Sequence, residues 1–448
     1  MSKSRLSRTG DIARSEGKVD VRSDAWRPLI AISAMVAVAF WLITIRLTGS
    51  NLLNAFPFVS ADGYDYLFEG YALSRWSEGA PLISFPVLRN PLFVLITFVD
   101  YLVGGGGYFA LAVISGALFL LFFALIFAAR RVSAPVPESA VVLWSVAVSP
   151  LAFFRSFILS DLLATALMIA AVALLVPYHQ TGGKRWLVGA TMTAAAAGLT
   201  QYYGVVPFLV VGGCLLLDSL RKRKPKWWVG AALIASVVIV LGIHALWRLA
   251  LPHESVPFSW DLFALSLDMG GKYLNAWAFA FGGMLSVFLL VLGQRWRAIV
   301  GDPLRLGCWL AFLALVFGNF FYQWEDLRFS HPTGAMFALA LLVSLGTRDA
   351  PRRSRATVAV FASSALLVTV IGLGIAPSSY WLPRVTEMEF APGRTWLAGL
   401  LRAEQVDRFG VPEHCGEEAV FCDAVPLSHI TDPYQQAILT GFKEATPG

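Results

Sequence analysis

The sequence is dominated by apolar runs of membrane-crossing length, each closed by a short charged connector. About 20 apolar residues, rising about 1.5 Å each, cover the roughly 30 Å of hydrocarbon in a bilayer. By that measure the spans expected are 28–48, 108–129, 138–154, 159–177, 187–201, 204–218, 227–250, 272–293, 306–320, 331–346 and 355–376. The fold class predicted is an all-α polytopic membrane protein of about 11 transmembrane helices, with interfacial helices in its first outer loop. Composition agrees, because 57% of the 448 residues are hydrophobic and 14% are charged. Soluble domains carry roughly 25% charged residues, so this chain cannot cover its apolar surface in water.

Two segments are settled by charge and length. The run 91–103, PLFVLITFVDYLV, carries Asp100 and ends at Gly104 to Gly107. Laid along the outer interface, it puts Arg130 and Arg131 inside; as a span it would put them outside. The run 187–218 would be about 48 Å long as one helix, too long without severe tilt. A break at Gln201, Tyr202, Tyr203 and Gly204, with Pro207 opening the next helix, makes two spans of it.

With the N-terminus inside, most of the 35 Lys and Arg residues fall on inner segments. These are the tail 1–27, Arg130 with Arg131, Lys184 with Arg185, the RKRKPK run 221–226, Arg295 with Arg297 and Arg305, and Arg348 with Arg352, Arg353 and Arg355. The positive-inside rule then puts the N-terminus in the cytoplasm and the C-terminus outside. The domains expected are a disordered cytoplasmic tail 1–27, a transmembrane unit 28–376 that includes the outer loop 49–107, and a small extracytoplasmic segment 377–448. The net charge of +6 finds its partner in membrane lipid headgroups, not in nucleic acid. Inner connectors contain no Gly-rich phosphate loop, so an active site would face outward and use a substrate already there.

The outer loop holds the first concentration of polar residues. Asp62, Tyr66, Gly70 and Leu73 recur at the spacing of one helix face. Asp62 reads either as the cap of that helix or as a general base on an acceptor hydroxyl, and Asp65 or Glu69 can take the second role in its place. Arg89 precedes Asn90-Pro91, where Asn90 reads as a helix cap. The guanidinium then meets either a lipid phosphate or a substrate phosphate. Arg155 and Asp161 bracket an outward turn, and Asp161 heads a descending helix whose N–H groups favour negative charge. The segment 319–332, NFFYQWEDLRFSHP, sets Glu325, Asp326, Arg328 and His331 among five aromatics. Aromatic belts explain the rings; the ionisable groups point to anion handling by Arg328 with His331 assisting. His244 and Arg248 are weaker candidates. A divalent metal fits among Asp62, Asp65 and Glu69, though no cofactor is required. Four cysteines make no zinc spacing or disulfide scaffold.

Together these motifs resemble the GT-C superfamily of membrane glycosyltransferases, nearest the branch of aminoarabinose transferases and protein O-mannosyltransferases. ADGYDYLFEGYAL is similar to that family's outer-loop Asp followed by Tyr at the fourth position, with Gly63 where a second acid is common. Arg89-Asn90-Pro91-Leu92 is similar to its basic residue before Pro-Leu, and ILSDLL at 158–163 to its Ser-Asp at a descending helix. Glu325 to Pro332 resembles its Glu, Arg-Tyr and Pro motif, with Phe329 in place of tyrosine.

The resemblance implies an inverting transferase in the cell envelope, working in cell wall biogenesis at a bacterial inner or plasma membrane. It implies a polyprenyl-phosphate-linked sugar as donor and a glycolipid, glycan or protein as acceptor. Asp62 would be the base, and Arg89 with Arg328 would stabilise the leaving phosphate. Asp65, Tyr66, Glu69, Asp161, Gln201, Tyr202, Tyr203, Glu325 and His331 would contact sugar or acceptor. Competing readings are a secondary transporter or flippase for a lipid-linked or anionic substrate, a polysaccharide polymerase or ligase using prenyl-linked sugars, and a nonenzymatic membrane assembly factor. A Cys415–Cys422 disulfide is expected if the outer compartment oxidises.

Overall fold

The computed structural model describes residues 88–103, 108–147, 160–251, 284–319 and 330–346, with single residues of a helical stretch between Tyr66 and Gly79. The tail 1–27, the spans 28–48 and 355–376, and the segment 377–448 with Cys415 and Cys422 lie outside the described residues. Asp62, Asp65, Arg155, Glu325 and Arg328 do so as well.

Among the described residues every regular element is a helix. In chain order these are α1 Pro91–Leu102, α2 Tyr108–Arg131, α3 Val136–Ala147, α4 Ser160–Thr181 and α5 Lys184–Thr200. A 3-10 turn, Tyr202–Val205, leads into α6 Val206–Arg221 and α7 Trp227–Ala250. Then come α8 Leu285–Gly301, α9 Pro303–Asn319 and α10 Ser330–Leu345. Four segments are long and apolar enough to cross a membrane: Ala112–Arg131, Ser160–Thr181, Tyr202–Arg221 and Trp227–Ala250.

Helix α4 is the axis of the bundle. Leu, Ala, Val and Ile surround it on all sides, so no face prefers water or lipid, and it packs against α2, α5, α6, α9 and α10. Its central window is 83% buried, against 22% for α7. Helix α7 leaves Ile234, Val238, Leu241, Leu246 and Leu249 exposed. An apolar surface of that extent is unstable in water and is the surface a helix turns to lipid. The chain is a polytopic membrane protein on this ground.

The break expected between 187 and 218 is present. Helix α5 stops at Thr200, Gln201 adopts an extended φ of −152°, and the 3-10 turn hands over to α6 with Pro207 in its first turn. A Cβ on Gly204 would lie 2.5 Å from the carbonyl oxygen of Ala197, so only glycine lets the turn fold back on α5. Helix α1 has 12 residues, about 18 Å, too short to cross. One limit needs correction: α8 continues to Gly301, so Arg295 and Arg297 belong to its last turns and not to a connector. The turn at Asp302 is closed by its own carboxylate, which accepts from the Leu304 and Arg305 N–H groups at 2.9 and 3.3 Å.

Contacts between elements sort the helix ends into two groups. At one end, Gln180 donates to the Arg131 carbonyl at 2.8 Å, Lys184 Nζ lies 4.1 Å from the Trp228 ring centroid, and Arg305 donates to the Gly346 carbonyl at 2.9 Å. Among the described residues, the basic side chains expected on inner connectors therefore collect at a single end. The starts of α1 and α4 and the ends of α5 and α7 meet at the other.

Candidate functional site

The site is built where the helical stretch from Tyr66 meets α1. Tyr66, Glu69, Gly70 and Leu73 are all buried; Tyr66, Gly70 and Leu73 are the described residues of the one face expected from their spacing. Gly70 lets the stretch approach closely: a Cβ there would stand 2.7 Å from the Phe98 backbone nitrogen. Thr97 of α1 donates to the Tyr66 carbonyl at 2.7 Å, and the Tyr66 ring meets Phe93 edge-on at 4.7 Å. These contacts fix the ring and leave its hydroxyl to be satisfied.

A buried hydroxyl is costly without partners, and Tyr66 finds two. Its oxygen shares a 2.8 Å hydrogen bond with Ser160 Oγ and accepts from Gln201 Nε2 at 3.3 Å. Gln201 also donates to Ser160 at 2.5 Å and accepts from Asn90 Nδ2 at 3.0 Å. The amide uses both its ends. The node thus joins Tyr66, the entrance of α1, the first residue of α4 and the break after α5.

Arg89 is held on both sides of its own backbone. Its N–H donates to Glu69 Oε1 at 2.9 Å, and its carbonyl accepts from the Trp247 indole at 3.2 Å. The guanidinium carbon lies 5.8 Å from the Tyr66 ring centroid, within cation–π reach. An arginine mounted so has lost much of the freedom that a surface arginine keeps, and its planar fork of donors suits an oxyanion.

Beside the node, Tyr203 donates to Asp161 Oδ1 at 3.3 Å, in the first turn of α4 where N–H groups favour a carboxylate. The half-exposed Tyr202 ring stacks on His244 at 4.2 Å, and His244 Nε2 donates to the Gly198 carbonyl at 3.3 Å. Three helix ends are joined through these contacts.

Of the expected site residues, the structure brings together Tyr66, Glu69, Arg89, Asp161, Gln201, Tyr202 and Tyr203. Asp62, Asp65, Glu325 and Arg328 lie outside the described residues, and His331 has a helical backbone with its side chain outside them. One reading changes. Asn90 occupies the N-cap position of α1 but its side chain makes no cap bond; its Nδ2 donates to Gln201 Oε1 instead. Glu69 is buried, with one carboxylate oxygen engaged by the Arg89 backbone N–H.

Sequence reasoning passed over Trp247 and gave Ser160 no role of its own. Trp247 stands one turn beyond His244 on the face of α7 that meets α1, so the His244 signal pointed at the right helix end. Asp100 was noted only as a charge in an apolar run; its Oδ1 accepts from the Phe109 and Ala110 N–H groups at 2.6 and 3.2 Å and so starts α2. Among the described residues, no three His, Cys, Asp or Glu side chains are grouped as metal ligands.

No family model matches the chain, and no curated protein is similar to it. Among solved structures it is similar to ArnT from Cupriavidus metallidurans bound to undecaprenyl phosphate, with 15% identity, 95% of this chain and 77% of that chain covered, and a TM-score of 0.49. It is similar also to the apo state of the same ArnT, with 16% identity, 94% and 76% covered, and a TM-score of 0.48.

Proposed function

We propose that this chain is an inverting GT-C-like glycosyltransferase that moves a sugar from a polyprenyl-phosphate donor to an acceptor hydroxyl at the extracytoplasmic face. One observation carries the reading: Arg89, fixed through Glu69 and Trp247, stands over a tyrosine that is itself fixed by Ser160 and Gln201. Residues of three motifs that resemble the superfamily's thus converge at one end of the bundle, opposite the basic connectors. In this reading the bundle has about 11 spans and its basic end is cytoplasmic.

The chemistry is a single displacement. The acceptor oxygen forms its bond to the anomeric carbon as the bond from that carbon to the phosphate oxygen breaks. The acceptor proton passes to the carboxylate of Asp62, four residues before Tyr66 in sequence, and polyprenyl phosphate departs as an anion. Arg89 meets the growing charge on that phosphate, where a pre-positioned cation lowers the barrier most. Arg328, two residues before the start of α10, is the second cation. Tyr66, with its hydroxyl already engaged, is a positioning residue for Arg89. Exposed Tyr202 and the Asp161–Tyr203 pair offer the sugar or acceptor its polar contacts, together with Asp65, Glu325 and His331.

The test is to incubate the purified full-length protein with a panel of polyprenyl-phosphate sugars and membrane extract, with Asp62→Asn in parallel. Turnover by the natural protein, reduced at least 100-fold in the variant as expected for a lost general base, supports the reading. A folded protein that releases no polyprenyl phosphate from any donor rejects it.

A further inference from the structure

The end of the bundle away from Arg89 presents exposed basic side chains organised by aromatic rings. Arg131 at the end of α2 lies 5.0 Å from the Phe127 ring and 5.4 Å from Trp186, and Arg185 faces the same Trp186 at 5.1 Å. Lys184 Nζ sits 4.1 Å from the Trp228 centroid, and Lys226 Nζ 5.5 Å from Tyr178. Two acidic side chains at this end are engaged by other residues. Asp218 pairs with Lys222 at 2.7 Å, and Asp302 with Arg305 at 3.8 Å and His179 at 3.7 Å. Among the described residues Lys184, Arg185 and Lys226 form no ion pair with a carboxylate.

Directly below these charges the surface is apolar. On α5, Val188 and Met192 follow Lys184 at four-residue steps and are exposed; on α7, Trp227, Ile234, Val238 and Leu241 form an exposed stripe. Helices α5 and α7 pack side by side, and the Lys184–Trp228 contact bridges their starts. Charge that attracts phosphate thus stands at the head of an exposed apolar stripe of about 21 Å on α7, beside a shorter patch at Val188 and Met192 on α5. A nucleotide or free phosphate would use the charges but leave the stripes and the exposed tryptophans unexplained. A headgroup joined to two chains uses both, and rings such as Trp227 and Trp228 favour the level where headgroup meets hydrocarbon.

We propose that Lys184, Arg185 and Lys226 form a binding site for an anionic glycerophospholipid, with its phosphate among the three cations and its acyl chains on the exposed faces of α5 and α7. The site lies at the opposite end of the helices from Arg89 and is independent of the proposed transfer reaction. Ring contacts hold Lys184 and Arg185 in place and leave their N–H groups to the phosphate oxygens. Lys184 and Arg185 open α5 and Lys226 is the N-cap of α7, so an occupied site would tie the starts of those two helices together.

The experiment uses the full-length protein in neutral detergent, titrated with phosphatidylglycerol, phosphatidylcholine or inorganic phosphate, with retained lipid counted by native mass spectrometry and melting followed in parallel. Phosphatidylglycerol is expected to be retained and to raise the melting temperature, whereas phosphatidylcholine and inorganic phosphate do neither at equal concentration. The triple variant K184Q/R185Q/K226Q is expected to bind phosphatidylglycerol about 100-fold more weakly, at about fivefold per charge near an anionic lipid. The triple variant K222Q/R223Q/K224Q, equal in charge and in the neighbouring turn, is expected to bind within about threefold of the natural protein. Equal loss in both variants would reduce the effect to bulk surface charge and overturn the site. Equal retention of phosphatidylcholine, or equal stabilisation by inorganic phosphate, would overturn the lipid assignment even if a variant failed to fold.

Discussion

The indole N–H of Trp247 donates to the backbone carbonyl of Arg89 across 3.2 Å, tying the last turn of α7 to the residue that precedes the N-cap of α1. The same arginine's N–H is taken by Glu69 at 2.9 Å. Two side chains distant in sequence therefore set the height and direction of a cation that neither of them neutralises through these bonds.

Trp247→Phe keeps a ring in place and deletes the donor. A net hydrogen bond contributes about 1 kcal/mol, so the melting temperature is expected to move little, while turnover of a polyprenyl-phosphate sugar falls about two- to tenfold. The loss is expected in kcat with KM unmoved, because the arginine is misplaced more in the transition state than in the ground state. Steady-state kinetics with thermal melting of the same samples measure both.

Glu69 separates acceptor from charge. Glu69→Gln retains an oxygen for the Arg89 N–H, whereas Glu69→Ala leaves that N–H without its acceptor, at a cost of about 1–3 kcal/mol. Melting in detergent is expected to rank the natural protein first, then Glu69→Gln, then Glu69→Ala. The reverse order of the two variants would show that charge, and not the bond to Arg89, is what Glu69 supplies.

Tyr66 and Ser160 share a hydrogen bond of 2.8 Å, with Gln201 donating to both. In a double-mutant cycle, Tyr66→Phe and Ser160→Ala are expected to couple by about 0.5–1.5 kcal/mol, since groups in one network are not additive. Chemical or thermal denaturation of the four proteins measures it. Strict additivity would dissolve the node.

Two glycines give opposite expectations. Gly204→Ala drives a Cβ into the Ala197 backbone and is expected to destabilise by about 1–3 kcal/mol. Gly213→Ala, in the middle of α6 with nothing within 4 Å of its Cβ, is expected to stabilise by about 0.5–1 kcal/mol through helix propensity. Melting temperatures of the two variants check the pair.

The described helices and the break at Gln201 were legible in sequence because their causes are local: apolar length, a Tyr-Tyr-Gly sequence that ends α5, and Pro207 opening α6. That Tyr66, Gly70 and Leu73 belong to one face followed from spacing alone. The partners of those residues were not legible. Asn90 looked like a cap because caps are set by neighbours in sequence, but its side chain answers to Gln201 across the bundle. Trp247 drew no reading from sequence, because nothing around it in the chain announces a bond to Arg89. Hydrogen bonds between helix ends are fixed by packing, which leaves no periodic trace. The same holds for the ring-held cations at the other end, where sequence showed charge and only the fold showed that Lys184 stands over Trp228.

The central claim is that Arg89 is mounted to receive a phosphate leaving group, and transfer by the full-length protein with Arg89→Gln tests it most directly. Reacted with its polyprenyl-phosphate sugar, the natural protein is expected to give product with the anomeric configuration inverted by NMR. The folded variant is expected to lose about 100-fold or more in kcat, as for other donors that stabilise developing charge. A folded Arg89→Gln protein that turns over at the natural rate would contradict the account, as would product in which the configuration is retained.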